Sequence, residues 1–269
     1  MAINKIVAGV KGDVSNTSGA DLAASINSSI DVIESPSIGN QKLRNDIDNI
    51  PSALTAAQLL FDKQANENIG MTYIVSGDSH RNNSYNNMIE YYNILLNQAG
   101  VTVVDNAASG QSGLDWLNND SGGGGTTLQQ AIDATSGTGA TTLLEYSFGV
   151  NDSGTEADMK AALKGGVEAY LAAKPDATVV LCSPIRTGFK NTTLINIYEE
   201  ISAELNLQLV KTFPVIEPYD NDSRFKQDEE HLSAYGSQRL LHFILSNIVS
   251  EKVRSSIKIP DLGVPTIPA

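Results

Sequence analysis

From Met71 onward, short apolar runs alternate with longer segments of helical periodicity. No other feature constrains the fold as much. The runs are MTYIVSG, VTVVDN, TTLLEYSFG, ATVVLCSP and LQLVKTF. Near-continuous apolar character is what strands buried on both faces need. Between them, SYNNMIEYYNILLNQAG puts Met88, Tyr91, Tyr92, Leu95 and Leu96 on one helical face and ends at Gly100, a C-cap residue. EADMKAALKGGVEAYLAAKP reads as a helix stopped by Pro175, NTTLINIYEEISAEL as another, and SAYGSQRLLHFILSNIVSEKV as the last. The pattern predicts the α/β class: a five-stranded parallel sheet covered by helices on both faces. In such sheets ligands sit at the carboxyl ends of the strands.

Residues 1 to about 68 differ, being rich in Asn, Ser, Asp and Ala and poor in aromatics. Leu22, Ile26, Ile30 and Ile33 form a narrow stripe, and Leu43, Ile47, Ile50 and Leu54 repeat a similar spacing. Such a stripe fits a seam between helices of different chains, or a surface helix packed on its own domain. Both readings stay open. Pro36 and Pro51 break the segment. The expected organisation is an N-terminal segment at 1–68 outside the catalytic sheet, a catalytic domain at 69–254, and an extended Pro-rich tail at 255–269.

Four features follow strands or precede the last helix. Ser79, in IVSGDSHRNN, comes directly after the first strand. Gly110, in NAASGQSG, follows the second, and Asn151, in SFGVNDSG, follows the third. Asp228 and His231, in KQDEEHLSAYG, precede the last helix. In a parallel doubly wound sheet all of these meet on one edge. Each alone is a common loop motif; the conjunction, in this order, is not.

The order Gly-Asp-Ser, Gly, Gly-x-Asn-Asp, Asp-x-x-His resembles the SGNH hydrolases, the GDSL esterase superfamily, over roughly Thr72 to Ser250. The resemblance implies a three-layer α/β/α, flavodoxin-like fold and a serine esterase without cofactor. It implies Ser79 as nucleophile, His231 as general base and acid, and Asp228 as the group that orients the imidazole. The oxyanion would be held by the backbone N–H groups of Ser79 and Gly110 and by the Asn151 amide. One departure is visible: His80 stands where the family often has Leu. That position is expected to support the turn, and its side chain to diverge from the site.

Other residues read more plainly. Asp78 and Asp152 are expected to brace their loops, His242 to pack within its helix, and Cys182 to be a buried small hydrophobe. NNDSGGGGTTL has no Lys after it and no strand directly before it, so it reads as a flexible loop and not a phosphate cradle. Asp220 and Asp222 alternate like calcium ligands but lack the Gly and distal Glu of an EF-hand loop. No His, Cys and carboxylate cluster has metal-ligand spacing.

Lys plus Arg number 18 against 31 Asp plus Glu, a net charge of −13, which argues against nucleic acid as a partner. No apolar stretch approaches the roughly 20 residues of a membrane span, and no signal-peptide pattern opens the sequence. The loops are polar, with Trp116, Tyr85 and Tyr219 as aromatics suited to hydroxyl-rich ligands. That favours small acyl groups on sugars. The opening residues, INKIVAGVKGD and GADLAASINSSID, resemble N-terminal attachment segments of bacteriophage tail fibre and tailspike proteins. This second resemblance implies a trimeric virion component, made in the host cytoplasm beside other tail proteins, that deacetylates a surface glycan. The alternatives are a glycan-binding module with little turnover, or a cytoplasmic lipase or thioesterase.

Overall fold

The computed structural model describes residues 55–67, 69–82, 88–120, 125–185, 189–213, 224–228 and 231–249. Five strands form one parallel sheet: β1 (Met71–Gly77), β2 (Val101–Ala107), β3 (Thr142–Ser147), β4 (Thr178–Cys182) and β5 (Gln208–Val210). Their spatial order is β2-β1-β3-β4-β5, with β3 central and β1 between β2 and β3. Gly77 aligns with Ala107 on one side and with Ser147 on the other, so the loops after β1, β2 and β3 leave from the same edge.

Helices cover both faces. Side chains of α1 (Ala56–Glu67), α2 (Met88–Leu96) and α7 (Ala234–Ile248) share one cluster with Met71, Tyr73 and Val75 of β1. Side chains of α3 (Gly113–Leu117), α4 (Leu128–Ala134), α5 (Glu156–Ala173) and α6 (Phe189–Leu205) share a second cluster with Ile74, Leu144 and Tyr146. Adjacent residues of β1 thus feed opposite cores, as the twofold period of a strand demands. Local chemistry fixes the helix ends. Thr155 and Asp158 form a capping box that starts α5, and Thr127 and Gln130 form one that starts α4. A single 3-10 turn extends α2 to Gly100, whose φ of 74° closes it in the left-handed region. No helix among the described residues is long and apolar enough to cross a membrane.

The structure departs from the sequence reading in four places. The boundary at 68 is too late: Ala57, Leu60 and Phe61 of α1 lie in the first core, so that helix belongs to the catalytic unit. Compactness places the unit's start at Leu54. Two short helices, α3 and α4, occupy stretches for which the sequence reading had no helix. The last strand is three residues, Gln208–Val210, where LQLVKTF suggested more. Trp116 is fully buried between Tyr146 and Phe148 and donates its indole N–H to Asn106 at 2.7 Å, so it is a core residue and not a ligand platform. The stripes before Leu54, the tail at 255–269, the glycines at 122–124, Tyr85, Tyr219, Asp220 and Asp222 lie outside the described residues.

Candidate active site

The turn after β1 is built from its own backbone. The Asp78 carbonyl accepts from Arg81 N–H at 3.0 Å and from Asn82 N–H at 3.2 Å, while the Asp78 carboxyl accepts from His80 N–H at 3.0 Å. Gly77 has to be glycine here: a Cβ would lie 2.8 Å from the Ser147 carbonyl and 2.7 Å from Arg81 Cγ. The turn is also tied sideways. Ala108 N–H donates to the Gly77 carbonyl at 3.0 Å, and the Asn82 amide to the Ala107 carbonyl at 2.7 Å. Ser79 emerges from this scaffold almost buried, with 7 % of its surface exposed.

The segment before α7 delivers the partner. Lys226 and Leu232 form an isolated antiparallel bridge, and Gln227 N–H donates to the His231 carbonyl at 2.9 Å. Ser233 caps α7 by accepting from Gly236 N–H at 3.1 Å. Gly236 lets the helix approach this loop, since a Cβ there would stand 2.2 Å from the Phe225 carbonyl. The result carries His231 onto the nucleophile turn. His231 Nε2 is 3.1 Å from Ser79 Oγ, and His231 Nδ1 is 3.0 and 2.9 Å from the two Asp228 carboxyl oxygens. Asp228 also accepts from His231 backbone N–H at 2.7 Å. The tautomer that satisfies both ring nitrogens has Nδ1–H donating to Asp228 and Nε2 accepting from the Ser79 hydroxyl.

Gly110 and Asn151 lie on the loops after β2 and β3. Gly110 sits in a turn at φ 76°, a left-handed conformation that favours glycine independently of any ligand. The Asn151 amide donates to the carbonyl of Gln111, its neighbour, at 3.1 Å. Asp152 fixes the Asn151 loop from behind: its carboxylate accepts from Gly113 N–H at 2.8 Å and Leu114 N–H at 3.2 Å, capping α3. Asp78 links two of the loops, because Val150 N–H faces its carboxyl alongside His80 N–H. Asp78 and Asp152 therefore hold loops, and Cys182 is buried. His242 is partly buried on α7. His80 departs from expectation: its ring does not diverge but lies against the His231 ring, with centroids 5.5 Å apart and planes tilted by 35°.

Burial drives the Asp78 pKa up to about 6, although the His80 N–H, the Arg81 charge, the Val150 N–H and His231 all favour the carboxylate. The folded chain thus holds this proton more tightly than the unfolded one. Stability from the neutral carboxyl is present below about pH 4 and is lost as pH rises through about 6. An asparagine mimics the neutral form and accepts from His80 N–H. Asp78→Asn should therefore raise the melting temperature relative to the wild type at pH 8, by several degrees, with the difference vanishing near pH 4. Scanning calorimetry across that range checks it, and an equal difference at both ends would contradict it.

Beneath the turn is a polar cluster that the sequence reading passed over. Arg81 Nε is 2.7 Å from Glu145 Oε1, and neither side chain is exposed at all. Tyr73 donates to Glu145 Oε2 at 2.7 Å, and Tyr92 donates to the same oxygen. Burial opposes the Arg81 charge, yet Glu145 outweighs it and holds the guanidinium pKa above its ordinary value. Burial first, then Glu145, pushes the Tyr73 phenol up. The signal was available: Glu145 is the one acid inside TTLLEYSFG, a strand otherwise suited to complete burial.

No family model matches the chain, and no curated protein matches it in sequence. Solved structures do match it in shape. A lipase/acylhydrolase from Enterococcus faecalis aligns over 71 % of this chain and 98 % of its own, with 16 % identity and a TM-score of 0.50. A member of the lipolytic G-D-S-L family from Veillonella parvula aligns over 65 % and 97 %, with 15 % identity and a TM-score of 0.53. The fold is that of the SGNH hydrolases. A catalytic mutant of an acetylxylan esterase from Geobacillus stearothermophilus also shares it, covering 67 % of this chain and 95 % of its own, with 16 % identity and a TM-score of 0.51. In this fold the loops after β1, β2 and β3 leave one edge of the sheet, and the segment before α7 brings His231 to Ser79.

Proposed function

We propose that the chain is a serine esterase acting on short-chain esters, with O-acetyl groups of a bacterial surface polysaccharide as the substrate class. The observation that carries the reading is the continuous path from Ser79 Oγ through the His231 ring to the Asp228 carboxylate, at 3.1 and 2.9 Å. Ser79 Oγ attacks the ester carbonyl while His231 Nε2 takes its proton. The tetrahedral oxyanion collapses, the C–O bond to the leaving alcohol breaks, and His231 returns the proton to that oxygen. Water repeats the sequence on the acyl-serine and releases the acid. Asp228 stabilises the imidazolium in both halves. Asn151 commits one amide N–H to Gln111, which fixes the plane of the group and leaves its second N–H for the oxyanion. Asn151→Ala should then lower kcat by about 10²–10³ and change KM little, since the donor acts mainly in the transition state. Steady-state kinetics on p-nitrophenyl acetate measures both; a change confined to KM would remove Asn151 from the oxyanion site.

Polar loop sequences such as NDSGTEAD support a hydroxyl-rich ligand over a long acyl chain. A fold shared with an acetylxylan esterase is compatible with that preference. Acetate release from acetylated polysaccharides, set against hydrolysis of p-nitrophenyl esters of increasing chain length, tests it. Faster turnover of long acyl chains than of acetate would replace the carbohydrate reading with a lipase one. The proposed setting is a trimeric phage tail component, and its support is the resemblance of the opening residues. Sedimentation of the full chain and of a chain starting at Leu54 tests the assembly. A start near Glu67 would be the wrong comparison, because it strips Leu60 and Phe61 from the core.

A further inference from the structure

We propose that His80 is a positioning residue for His231: its buried ring is the wall that holds the imidazole in register between Ser79 and Asp228. The inference rests on the esterase reading for its catalytic consequence and on the ring geometry alone for its structural part. Hydrogen bonds to Asp228 cannot by themselves fix the imidazole well. The Asp228 side chain is 48 % exposed, so water competes for its oxygens, whereas the His231 side chain is only 15 % exposed. The rest of the orientation must come from packing. His80 supplies a face 5.5 Å from the His231 ring centre, tilted by 35°.

His80 is suited to that task because it is itself immobilised. It is 2 % exposed, and its backbone N–H is held by the Asp78 carboxyl at 3.0 Å, one residue from the nucleophile. Nucleophile and wall therefore move as one piece. A displacement of Ser79 relative to His231 would require the whole turn to shift against Gly77 and Asn82, which are bonded to β2. The part the wall plays is steric. His231 becomes a cation each time it takes the serine proton, and a neutral aromatic face tolerates an adjacent cation while a second imidazolium would repel it. Among the described residues, Asp78 on the turn, Asp228 on the segment before α7, and Arg81 bound to Glu145 are charged groups near the two rings. No proton passes through His80. An apolar side chain of similar bulk can therefore replace it, and truncation cannot.

The test compares His80→Ala, His80→Leu and His80→Phe in the full chain on p-nitrophenyl acetate. Alanine should lower kcat about 10- to 100-fold through loss of alignment, with KM within about twofold. Leucine and phenylalanine should restore kcat to within about threefold. Undiminished kcat in the alanine variant would overturn the proposal. So would failure of both bulky variants to restore it, which would assign His80 a proton or hydrogen-bond role. A readout without turnover accompanies it. The chain has three histidines, so imidazole 15N signals can be assigned by single substitutions. His231 should show one Nδ1–H tautomer in the wild type and in His80→Leu, and an averaged pair of tautomers in His80→Ala. A wild type that hydrolyses no ester while its His231 signal still responds to His80→Ala would defeat the esterase reading and leave the wall in place. An unresponsive signal in an active enzyme would do the reverse.

Discussion

Replacing Ser79 by alanine is expected to lower kcat on p-nitrophenyl acetate by at least about 10⁴-fold, with the melting temperature nearly unchanged. The size follows from the mechanism. Without Oγ no acyl-enzyme forms, and what remains is water attacking a carbonyl polarised by the oxyanion donors. The fold should not register the change. Ser79 makes its side-chain hydrogen bond to His231, while Gly77, Asp78 and Asn82 hold the turn through other atoms. His231→Ala should cost about as much as Ser79→Ala, because the two act as a unit. Asp228→Asn should cost less than either, since its carboxylate is half exposed, but more than any change at Asp220 or Asp222. Residual activity of more than a few per cent in Ser79→Ala would remove it as the nucleophile.

The second large effect lies below the site. Arg81→Met should destabilise the chain by about 3–5 kcal/mol, because it leaves the Glu145 carboxylate buried without its cation. For a domain of this size that is a fall in melting temperature of about 6–20 °C. The double variant Arg81→Met, Glu145→Gln should recover more than half of the loss. It removes both charges and keeps an acceptor for the hydroxyls of Tyr73 and Tyr92. Lys160→Ala is the control. Lys160 pairs with Glu200 and Glu204 between α5 and α6, but these side chains are partly exposed, and exposed pairs contribute about 0–1 kcal/mol. Denaturant melts of the four proteins check the set. A loss in Arg81→Met no larger than in Lys160→Ala would show that the buried pair does not hold the turn.

The sheet was legible in the sequence because burial on both faces leaves a plain trace. ATVVLCSP has no period-two polar positions to confuse with loop or helix. The placement of Ser79, Gly110, Asn151, Asp228 and His231 on one edge was legible for the same reason, since the edge follows from parallel topology. What stayed hidden was set by contacts across the chain. α1 carries only Leu60 and Phe61 as large buried apolar residues, too few for a strong stripe, and its burial depends on residues far away in sequence. α3 is a five-residue helix whose N-terminal N–H groups are held by Asp152, a tertiary contact that local propensity does not record. Trp116 misled because a tryptophan in a polar stretch looks exposed, and its indole partner, Asn106, is ten positions back on β2. The convergence of His80 and His231 depends on how α7 approaches the sheet, which Gly236 and the Phe225 carbonyl decide at close range.

The early position of α1 in the chain has a consequence for how the protein is made. The helix ends at Glu67, and β4, the strand it packs against, begins at Thr178. The ribosome therefore delivers α1 about 110 residues before its docking surface exists. During that interval the apolar side chains of Leu60 and Phe61 have no native partner from β4 or α7 to cover them. Twelve residues are too few for a stable free helix. The first core must then close late, through contacts of large sequence separation, which is the slow kind. The first core should therefore close only once α7 has been made, with α1 among the last pieces to lock.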